Sequence, residues 1–340
     1  MMRNATAKTT SPIPTKMRVA SEALSSCEMS SIDAFPKART GRAGRVREVG
    51  PAGKPRRRGR KRLRPWATMA IARLSGVDIH YDTFGESGPA VLLVMGLGSR
   101  GDNWTPISRA LAGRGFRVIQ FDNRDVGRSS RFPGGSYEIA DMAADAVGLL
   151  DHLGAREARL VGISMGGMIA QELAASFPER FSRLVLLATW PGGDLARKPE
   201  SPILAELAAL ARGEEEDRAA AEARLGAFYR AITGPAFVQK NPELLDMAVA
   251  FALEGAPEVE GLMRQIRAIS RFAIGDRLGE IRAPTLVLHG DADPLIPYEN
   301  GEIIARRIPG ARLCTLRGVG HLVPLEAPLA TFGALLDFLS

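Results

Sequence analysis

The sequence predicts an α/β fold: a mostly parallel central sheet with helices on both faces, plus an inserted helical cap. Strand-like and helix-like patterns alternate from residue 69 onward, which is typical of parallel strands joined by crossover helices. Several strand patterns are continuous apolar runs, as expected for strands buried on both faces. The alternation is interrupted over residues 194–275 and then resumes.

The strand patterns can be placed in order along the chain. The first two meet at Ser75 and Gly76 and predict a hairpin. The run Ala-Val-Leu-Leu-Val-Met at residues 90–95 predicts a buried strand that ends at the Gly-Leu-Gly of residues 96–98. The predicted strands cover about 69–75, 77–84, 90–95, 116–121, 159–163, 183–188, 285–289 and 312–317.

The helix patterns of the core fall between or after these strands. Residues 137–153 carry a clear one, because their apolar residues recur on a single helical face. The other predicted helices of the core cover about 103–113, 165–176, 298–308 and 326–339.

Residues 194–275 are rich in Ala, Glu and Leu and predict further helices. We therefore expect an α/β core over residues 69–193 and 276–340, interrupted by a helical cap. Large apolar residues of this cap either form its own helical core or shape an acyl or alcohol site as a lid. They are Phe228, Tyr229, Phe251, Met263 and Phe272.

Residues 1–68 form a basic tail with 17 Lys and Arg against 4 Asp and Glu, whereas the other 272 residues hold 28 and 34. The net charge of +7 therefore comes from the tail alone. The tail has no apolar periodicity, so we expect it to be disordered. It could bind nucleic acid or an anionic membrane, or act as an organelle transit peptide. The interpretation we favour is that translation starts at Met69.

A nucleophile pattern lies where a predicted strand meets the next helix. Residues 162–166 read Gly-Ile-Ser-Met-Gly and match G-x-S-x-G. At this junction a tight turn exposes the Ser164 hydroxyl, and a side chain on either flanking glycine would crowd the neighbouring backbone. The alternative is a glycine-rich turn in which Ser164 only caps the helix. The position between strand and helix favours the nucleophile.

From residue 69 to residue 340 the chain resembles the α/β-hydrolase family. The motifs that carry the resemblance are Met-Gly-Leu-Gly at 95–98, Phe-Asp-Asn-Arg-Asp at 121–125 and Gly-Ile-Ser-Met-Gly-Gly-Met at 162–168. Together they are most similar to aclacinomycin methylesterase-type and cofactor-free haloperoxidase-like esterases. The resemblance implies a serine hydrolase that cleaves a carboxylic ester, such as a small alkyl ester of an apolar acid, through an acyl-enzyme.

The catalytic base is expected to be His321. A serine hydroxyl needs a base to take its proton, and histidine suits that task at neutral pH. Only His321 follows an acid-bearing loop, as the family order of serine, acid and histidine requires. The other three histidines, His80, His152 and His289, are expected to be structural.

The acid is expected in the loop after strand 285–289, where Asp291 and Asp293 both occur. The resemblance favours Asp293, which would hold the histidine tautomer and stabilise the imidazolium. Asp291 is expected to shape the loop. Asp194 is the fallback, because some relatives carry the acid after the preceding strand.

Backbone N–H groups are expected to stabilise the oxyanion of the reaction. One donor would be Met165, at the start of a helix whose dipole favours an anion. The resemblance places the other donor in the loop 95–98, at Leu97. Met95 stands where the family usually has histidine, which leaves the backbone donors intact and makes the pocket floor more apolar.

Three residues are expected to contact substrate: Met95, Trp104 and Trp190. Both tryptophans flank the predicted mouth of the pocket, although a tryptophan more often simply packs in a core. The loop 121–129 resembles the family's Asp-x-Arg-Gly-x-Gly-x-Ser motif, with Asp125 in place of glycine. We expect this loop to be structural.

No cofactor and no metal is expected, because the sequence contains no P-loop and no His/Cys cluster with ligand spacing. The expected partner is a small-molecule substrate, with no nucleic acid for the folded domain and no membrane. We expect a monomer or homodimer. We also expect a cytoplasmic location, since no apolar segment typical of a secretory signal is present.

Other functions fit the same residues. The triad is equally compatible with cofactor-free perhydrolysis, enol-lactone hydrolysis or C–C bond hydrolysis, because fold and triad do not fix the substrate. A ligand receptor derived from a hydrolase is an alternative of a different class. Slow turnover together with tight ligand binding would favour the receptor.

Overall fold

The computed structural model describes residues 28–29, 67–74, 76–132, 134–200, 202–203, 207 and 217–340. Almost all of the basic tail, for which we expect disorder, therefore lies outside the described residues. Two parts of it are described as strands, namely β1 (Glu28–Met29) and the start of β2 (Ala67–Leu74). The first strand of the hairpin thus begins two residues before the predicted start, because Ala67 pairs with Phe84 at the far end of its partner.

Within the described residues nine strands form one sheet. The others are β3 (Val77–Phe84), β4 (Ala90–Val94), β5 (Arg117–Phe121), β6 (Ala158–Ile163), β7 (Phe181–Leu187), β8 (Thr285–Gly290) and β9 (Arg312–Leu316). Their order across the sheet is β1-β9-β8-β7-β6-β4-β5-β3-β2. Strands β4 to β9 are mutually parallel, whereas β1, β2 and β3 pair antiparallel at the edges. The predicted mostly parallel sheet is confirmed.

The helices lie mainly between the strands in the chain. They are α1 (Thr105–Ala112), α2 (Ile139–His152), α3 (Met165–Ser176), α4 (Arg218–Ile232), α5 (Pro235–Lys240), α6 (Pro242–Leu253), α7 (Val259–Arg271), α8 (Glu299–Arg307), α9 (Val323–Glu326) and α10 (Pro328–Leu339). Short 3-10 helices cover Gly101–Trp104, Pro178–Arg180, Gly193–Leu195 and Gly275–Glu280. In the described part of the chain, no helix combines the length and the apolar character needed to cross a membrane.

The sheet is buried on both faces by two apolar clusters. Alternate residues of a strand point to opposite faces, so along β4 Leu92 and Val94 join one cluster while Val91 and Leu93 join the other. Residues of α2, α3 and α8 belong to the first cluster, and residues of α1 and α10 to the second. Helices therefore cover both faces, as the continuous apolar runs predict.

Helices α4 to α7 lie between β7 and β8 in the chain, and we call residues 218–271 the insert. Its buried side chains include Phe228 of α4, Leu245 of α6 and Gln265 of α7. Phe251, in contrast, is 38% exposed. Helices are thus present where the sequence predicts them, and the division into core and cap domains stays a prediction.

Gly162 in β6 offers a test of how tightly the centre of the sheet is packed. A Cβ at this position would lie 2.2 Å from the carbonyl oxygen of Gly166 and 2.9 Å from the Cβ of Ala170. Gly162→Ala should therefore lower the free energy of unfolding by about 1–3 kcal/mol, the usual cost of overpacking. Urea unfolding of the purified protein measures this.

The matched control is Gly279→Ala, because nothing lies within 4 Å of a Cβ at that position. This variant should unfold with a free energy within about 0.5 kcal/mol of wild type. Equal stabilities of the two alanine variants would show that the turn after β6 tolerates a side chain.

Candidate active site

Ser164 forms a tight turn between β6 and α3. The strand ends at Ile163, the helix begins at Met165, and the serine between them has φ 55° and ψ −123°. For a residue with a side chain such a conformation costs on the order of 1–3 kcal/mol. Hydrogen bonds hold it in place: the Ser164 N–H donates to the Leu187 carbonyl (2.9 Å), and the Ser164 carbonyl accepts from the Thr189 hydroxyl (2.8 Å).

At Gly162 and Gly166, on either side of this turn, neighbouring atoms lie so close that only glycine fits. A Cβ on Gly162 would collide with the Gly166 carbonyl, and a Cβ on Gly166 would lie 2.2 Å from the Val94 carbonyl oxygen. The steric reason predicted for the two glycines is therefore present in the structure. The loop after β4 also approaches the serine, because a Cβ on Gly96 would lie 3.2 Å from the Ser164 Cβ.

Three predicted side chains meet at the carboxyl end of the parallel strands. His321 Nε2 lies 3.1 Å from Ser164 Oγ, and His321 Nδ1 lies 2.8 Å from Asp293 Oδ2. An ionised carboxylate only accepts hydrogen bonds, so Nδ1 carries a proton and donates it. In the neutral imidazole Nε2 is then the acceptor, and it faces the serine hydroxyl.

Asp293 is buried, at 6% exposure, yet it is well supplied with hydrogen-bond donors. Its Oδ1 accepts the backbone N–H groups of Leu295 and Ile296, each at 2.9 Å. Burial alone would raise the pKa of Asp293, but contacts with His321 and His289 outweigh it and lower the pKa to about 2. The carboxylate is therefore ionised at neutral pH.

The other histidines have local partners of their own. His289 is fully buried, with Nε2 2.9 Å from the Ile296 carbonyl oxygen and 3.6 Å from Asp293 Oδ2. His80 contacts Asp122, and the ring of His152 packs edge-on against Tyr81. These contacts fit the structural roles that the sequence predicts for all three.

The alternative acids are not the ones that contact His321. Asp291 accepts the Gly318 N–H at 2.6 Å and so shapes the loop, as predicted. Asp194 lies in the 3-10 helix Gly193–Leu195 and lines a separate surface pocket. Asp293 is thus the carboxylate that the structure brings to the histidine.

The predicted oxyanion donors both belong to segments that adjoin Ser164. Met165 begins α3, and Leu97 belongs to the loop after β4 that approaches the serine. An asparagine holds the start of that loop, because Asn123 Nδ2 donates to the Met95 carbonyl at 3.0 Å. The position of both residues fits the prediction, and their role as donors stays a prediction.

A cavity of about 190 Å³ opens at Ser164 and His321. Its lining is mostly apolar and comes from the loop after β4, from β6 and α3, from the segment between β7 and the insert, from the insert itself and from the loops around Asp293 and His321. Besides Ser164 and His321, the described lining residues are Met95, Gly96, Leu97, Ser99, Ile163, Met168, Trp190, Pro199, Leu207, Phe228, Tyr229, Ile232, Ile269, Leu295, Ile296 and Leu322. Met95 and Trp190 thus lie where the sequence places substrate contacts.

The predicted substrate contact of Trp104 is wrong. This side chain is 1% exposed and packs with Leu93 and Val118 in the apolar cluster on one face of the sheet. The short 3-10 helix Gly101–Trp104 turns the indole inward. Trp104 is therefore a core residue.

Asp125, where the family pattern has glycine, adopts a left-handed conformation with φ 68°. Its carboxylate makes a bidentate ion pair with Arg264 of the insert, with distances of 2.9 and 3.0 Å. It also accepts the Phe132 N–H at 2.7 Å and the Tyr137 hydroxyl at 2.8 Å. Burial alone would raise the pKa of Asp125, but these donors lower it below its usual value. The ion pair with Arg264 thus stabilises a carboxylate at the left-handed position of Asp125.

Two polar residues near the site are absent from the sequence-based predictions. Gln265 of α7 is fully buried and accepts the Gly98 N–H at 2.9 Å. Glu326 accepts the N–H groups of Gly320 (2.7 Å) and Leu322 (3.0 Å), on either side of His321, and that of Gly234 (2.9 Å) in the insert. Both side chains accept hydrogen bonds from backbone N–H groups, and no sequence pattern predicts such contacts.

Comparison with known proteins identifies the family. Residues 89–328 match the model of the α/β hydrolase fold. The chain belongs to the α/β-hydrolase family. The resemblance drawn from the sequence motifs is thereby confirmed, while the narrower likeness to methylesterase-type enzymes stays a prediction.

Several hydrolases are similar to this chain over most of their length. "Putative carbamate hydrolase RutD" of Variovorax paradoxus is 35% identical over 268 residues, which is 78% of this chain and 97% of the relative. "3-oxoadipate enol-lactonase 2" of Acinetobacter baylyi is 30% identical over 255 residues, or 75% of this chain and 90% of the relative. Among solved structures, a hydrolase from Pseudomonas aeruginosa has 32% identity and a TM-score of 0.69, covering 80% of this chain and 98% of its own.

The low pKa of Asp293 makes stability depend on pH in a defined direction. A carboxyl whose pKa falls from 3.8 to about 2 on folding stabilises the protein above pH 4, and this stabilisation is lost as the pH falls towards 2. Its size is on the order of 2 kcal/mol. Asp293→Asn should remove this contribution, so the difference in unfolding free energy between wild type and variant should shrink between pH 5 and pH 2.

Urea unfolding at a series of pH values measures this difference. Ser164→Ala keeps the carboxylate and should follow the pH dependence of wild type. A wild-type-to-asparagine difference that stays constant from pH 5 to pH 2 would contradict the low pKa.

Proposed function

We propose that this α/β hydrolase is a serine hydrolase that cleaves a carboxylic ester through an acyl-enzyme. The observation that carries the proposal is the continuous chain of contacts from Ser164 Oγ to His321 Nε2 (3.1 Å) and from His321 Nδ1 to Asp293 Oδ2 (2.8 Å). This arrangement activates a hydroxyl that is otherwise a weak nucleophile at neutral pH.

The proposed first step is attack of Ser164 Oγ on the ester carbonyl carbon. The hydroxyl proton moves to His321 Nε2, and the Asp293 carboxylate stabilises the imidazolium that forms. When the tetrahedral intermediate collapses, His321 returns this proton to the departing alkoxide, which leaves as the alcohol. The acyl group remains on Ser164.

Water then repeats the sequence on the acyl-enzyme. His321 takes a proton from the water molecule, and the oxygen attacks the acyl carbon. When this second intermediate collapses, the bond to Ser164 Oγ breaks, His321 returns the proton to that oxygen, and the carboxylic acid leaves. In both halves of the reaction the carbonyl oxygen becomes negatively charged. The Met165 and Leu97 N–H groups are the proposed donors to that oxygen, Met165 with the added benefit of a helix N-terminus.

The cavity supports an uncharged, apolar acyl or alkyl group as substrate. Its described lining contains no Lys, Arg, Asp or Glu, and a charged group placed there would lose its hydration without a partner. Tyr229 is one of the few polar residues in the lining. Burial raises its pKa to about 12, so its hydroxyl stays protonated at neutral pH and is available as a donor.

The relatives suggest two related substrates. A lactone is a cyclic ester and would follow the same steps, but an enol-lactone of 3-oxoadipate still carries one free carboxylate, because only the other carboxyl is part of the ring. The uncharged lining of the described cavity favours a neutral ester over such a substrate. A carbamate also presents a carbonyl to the serine, and the 35% identity to RutD makes carbamate hydrolysis the second candidate.

Burst kinetics of the full chain test the acyl-enzyme. With p-nitrophenyl butyrate we expect a burst of p-nitrophenol equal to the enzyme concentration, followed by steady turnover. Ser164→Ala should lose the burst and reduce kcat by at least about 10³-fold, because it removes the nucleophile. Equal, background-level release by both proteins would contradict ester hydrolysis and shift the proposal to a carbamate or to a ligand receptor.

The apolar cavity predicts a preference for longer acyl chains. Two additional buried methylene groups contribute about 0.8 kcal/mol each, so kcat/KM for p-nitrophenyl butyrate should exceed that for the acetate by roughly tenfold. The mono-p-nitrophenyl ester of succinic acid, similar in length but anionic, serves as the control and should be a poorer substrate than the butyrate. A preference for the succinate would contradict the assignment of a neutral substrate.

A further inference from the structure

The buried amide of Gln265 connects the insert to two loops of the core. Its Oε1 accepts the Gly98 N–H at 2.9 Å, and its Nε2 donates to the Arg124 carbonyl at 3.0 Å. The side chain is fully buried, so both bonds form away from competing water. One residue of α7 thereby holds the loop after β4 against the loop after β5.

The loop after β4 is held at both ends, with Leu97 in between. Asn123 fixes its start through the Met95 carbonyl, and Gln265 fixes its end through the Gly98 N–H. Gly98 itself has φ 65°, a conformation that turns the chain sharply after Leu97. The Leu97 peptide is therefore flanked on both sides by hydrogen-bonded groups, which restrict its movement relative to Ser164.

The position of α7 is in turn fixed by the residue next to Gln265. Arg264 makes the bidentate ion pair with Asp125, and both side chains are at most 10% exposed. Gly261, one turn earlier, lets the helix approach closely, because a Cβ there would lie 2.8 Å from the Asp125 Cβ. The helix that carries Gln265 is thus anchored to the core independently of the Gln265 amide.

We propose that Gln265 is a positioning residue that sets the Leu97 N–H at the place where the oxyanion forms. This inference rests on the proposed serine hydrolase function. It makes the insert part of the reaction machinery as well as part of the cavity wall, since Ile269, one turn after Gln265, lines the cavity. Because an oxyanion exists only after attack, loss of the Gln265 contact should weaken binding of the transition state and leave substrate binding unchanged.

The test uses two variants of the full chain that split the amide contacts. Gln265→Met has a similar length and removes both hydrogen bonds. Gln265→Glu keeps an acceptor for the Gly98 N–H and loses the donor to the Arg124 carbonyl. With p-nitrophenyl butyrate, we expect kcat to fall roughly tenfold to hundredfold for Gln265→Met and less for Gln265→Glu, with KM within about twofold of wild type.

A transition-state readout separates positioning from a general loss of structure. Affinity for an alkyl boronic acid, whose adduct places an oxygen in the oxyanion site, should fall in Gln265→Met by about the same factor as kcat/KM. Affinity for butyramide, an unreactive analogue of the substrate, should stay unchanged. The control is Arg271→Gln, at the end of the helix that carries Gln265. It removes an exposed ion pair to Glu138 and should behave as wild type.

Amide hydrogen exchange gives a readout that does not depend on activity. The peptide that contains residues 95–98 should exchange faster in Gln265→Met than in wild type or Arg271→Gln. A Gln265→Met enzyme whose kcat and boronate affinity lie within twofold of wild type would overturn the proposal, as would parallel loss of boronate and butyramide binding. A wild type without serine-dependent hydrolysis would overturn the proposed function and this role together, and would leave the exchange result standing.

Discussion

The left-handed backbone of Ser164 is the constraint on which the rest of the site depends. A hydroxyl becomes accessible at the end of a buried strand only if the chain reverses at once into a helix, and the short distances around Gly162 and Gly166 show how little room that reversal leaves. The cost of the turn is offset by the packing of β6 at the centre of the sheet. Asp293 and His321 reach Ser164 because β8 and β9 end at the same edge of that sheet.

The buried charge of Asp293 is a second constraint on the site. Burial of the Asp293 carboxylate is unfavourable, and the protein offsets it with two backbone N–H groups and two imidazole rings. The contacts that stabilise the carboxylate also fix the orientation of His321. The same hydrogen bonds therefore contribute both to the stability of the fold and to the proposed reaction. Around it the cavity wall is apolar, which strengthens the electrostatic contacts inside.

The mostly parallel sheet and the glycine-rich turn at Ser164 are predictable from local sequence patterns. The choice of His321 and Asp293 rested instead on the order of residues in the family that the motifs resemble. Trp104 illustrates what the sequence does not predict. Its position along the chain shows that it lies near the loop after β4, but not whether its side chain points into the core or into the cavity. The role of Gln265 could not be predicted from the sequence for a different reason. Its partner Gly98 is 167 residues away, and a single polar residue in a helix gives no sign of a distant backbone donor. The departure at Asp125 was visible, but its partner Arg264 lies 139 residues later.

Glu326 couples the insert to the loop that carries His321, which limits how this fold can be recombined or engineered. Its carboxylate binds the backbone beside His321 and the backbone of Gly234 at once, and the His321 N–H donates to the Ile232 carbonyl at 2.8 Å. The insert is therefore joined to the core through the histidine loop as well as through α7. A chimera that exchanged this insert for one from another family member would weaken the support of His321 unless the graft kept the backbone carbonyl of residue 232 and the backbone N–H of residue 234 in the same positions. Recombination between relatives should accordingly keep the insert and the His321 loop together as one unit.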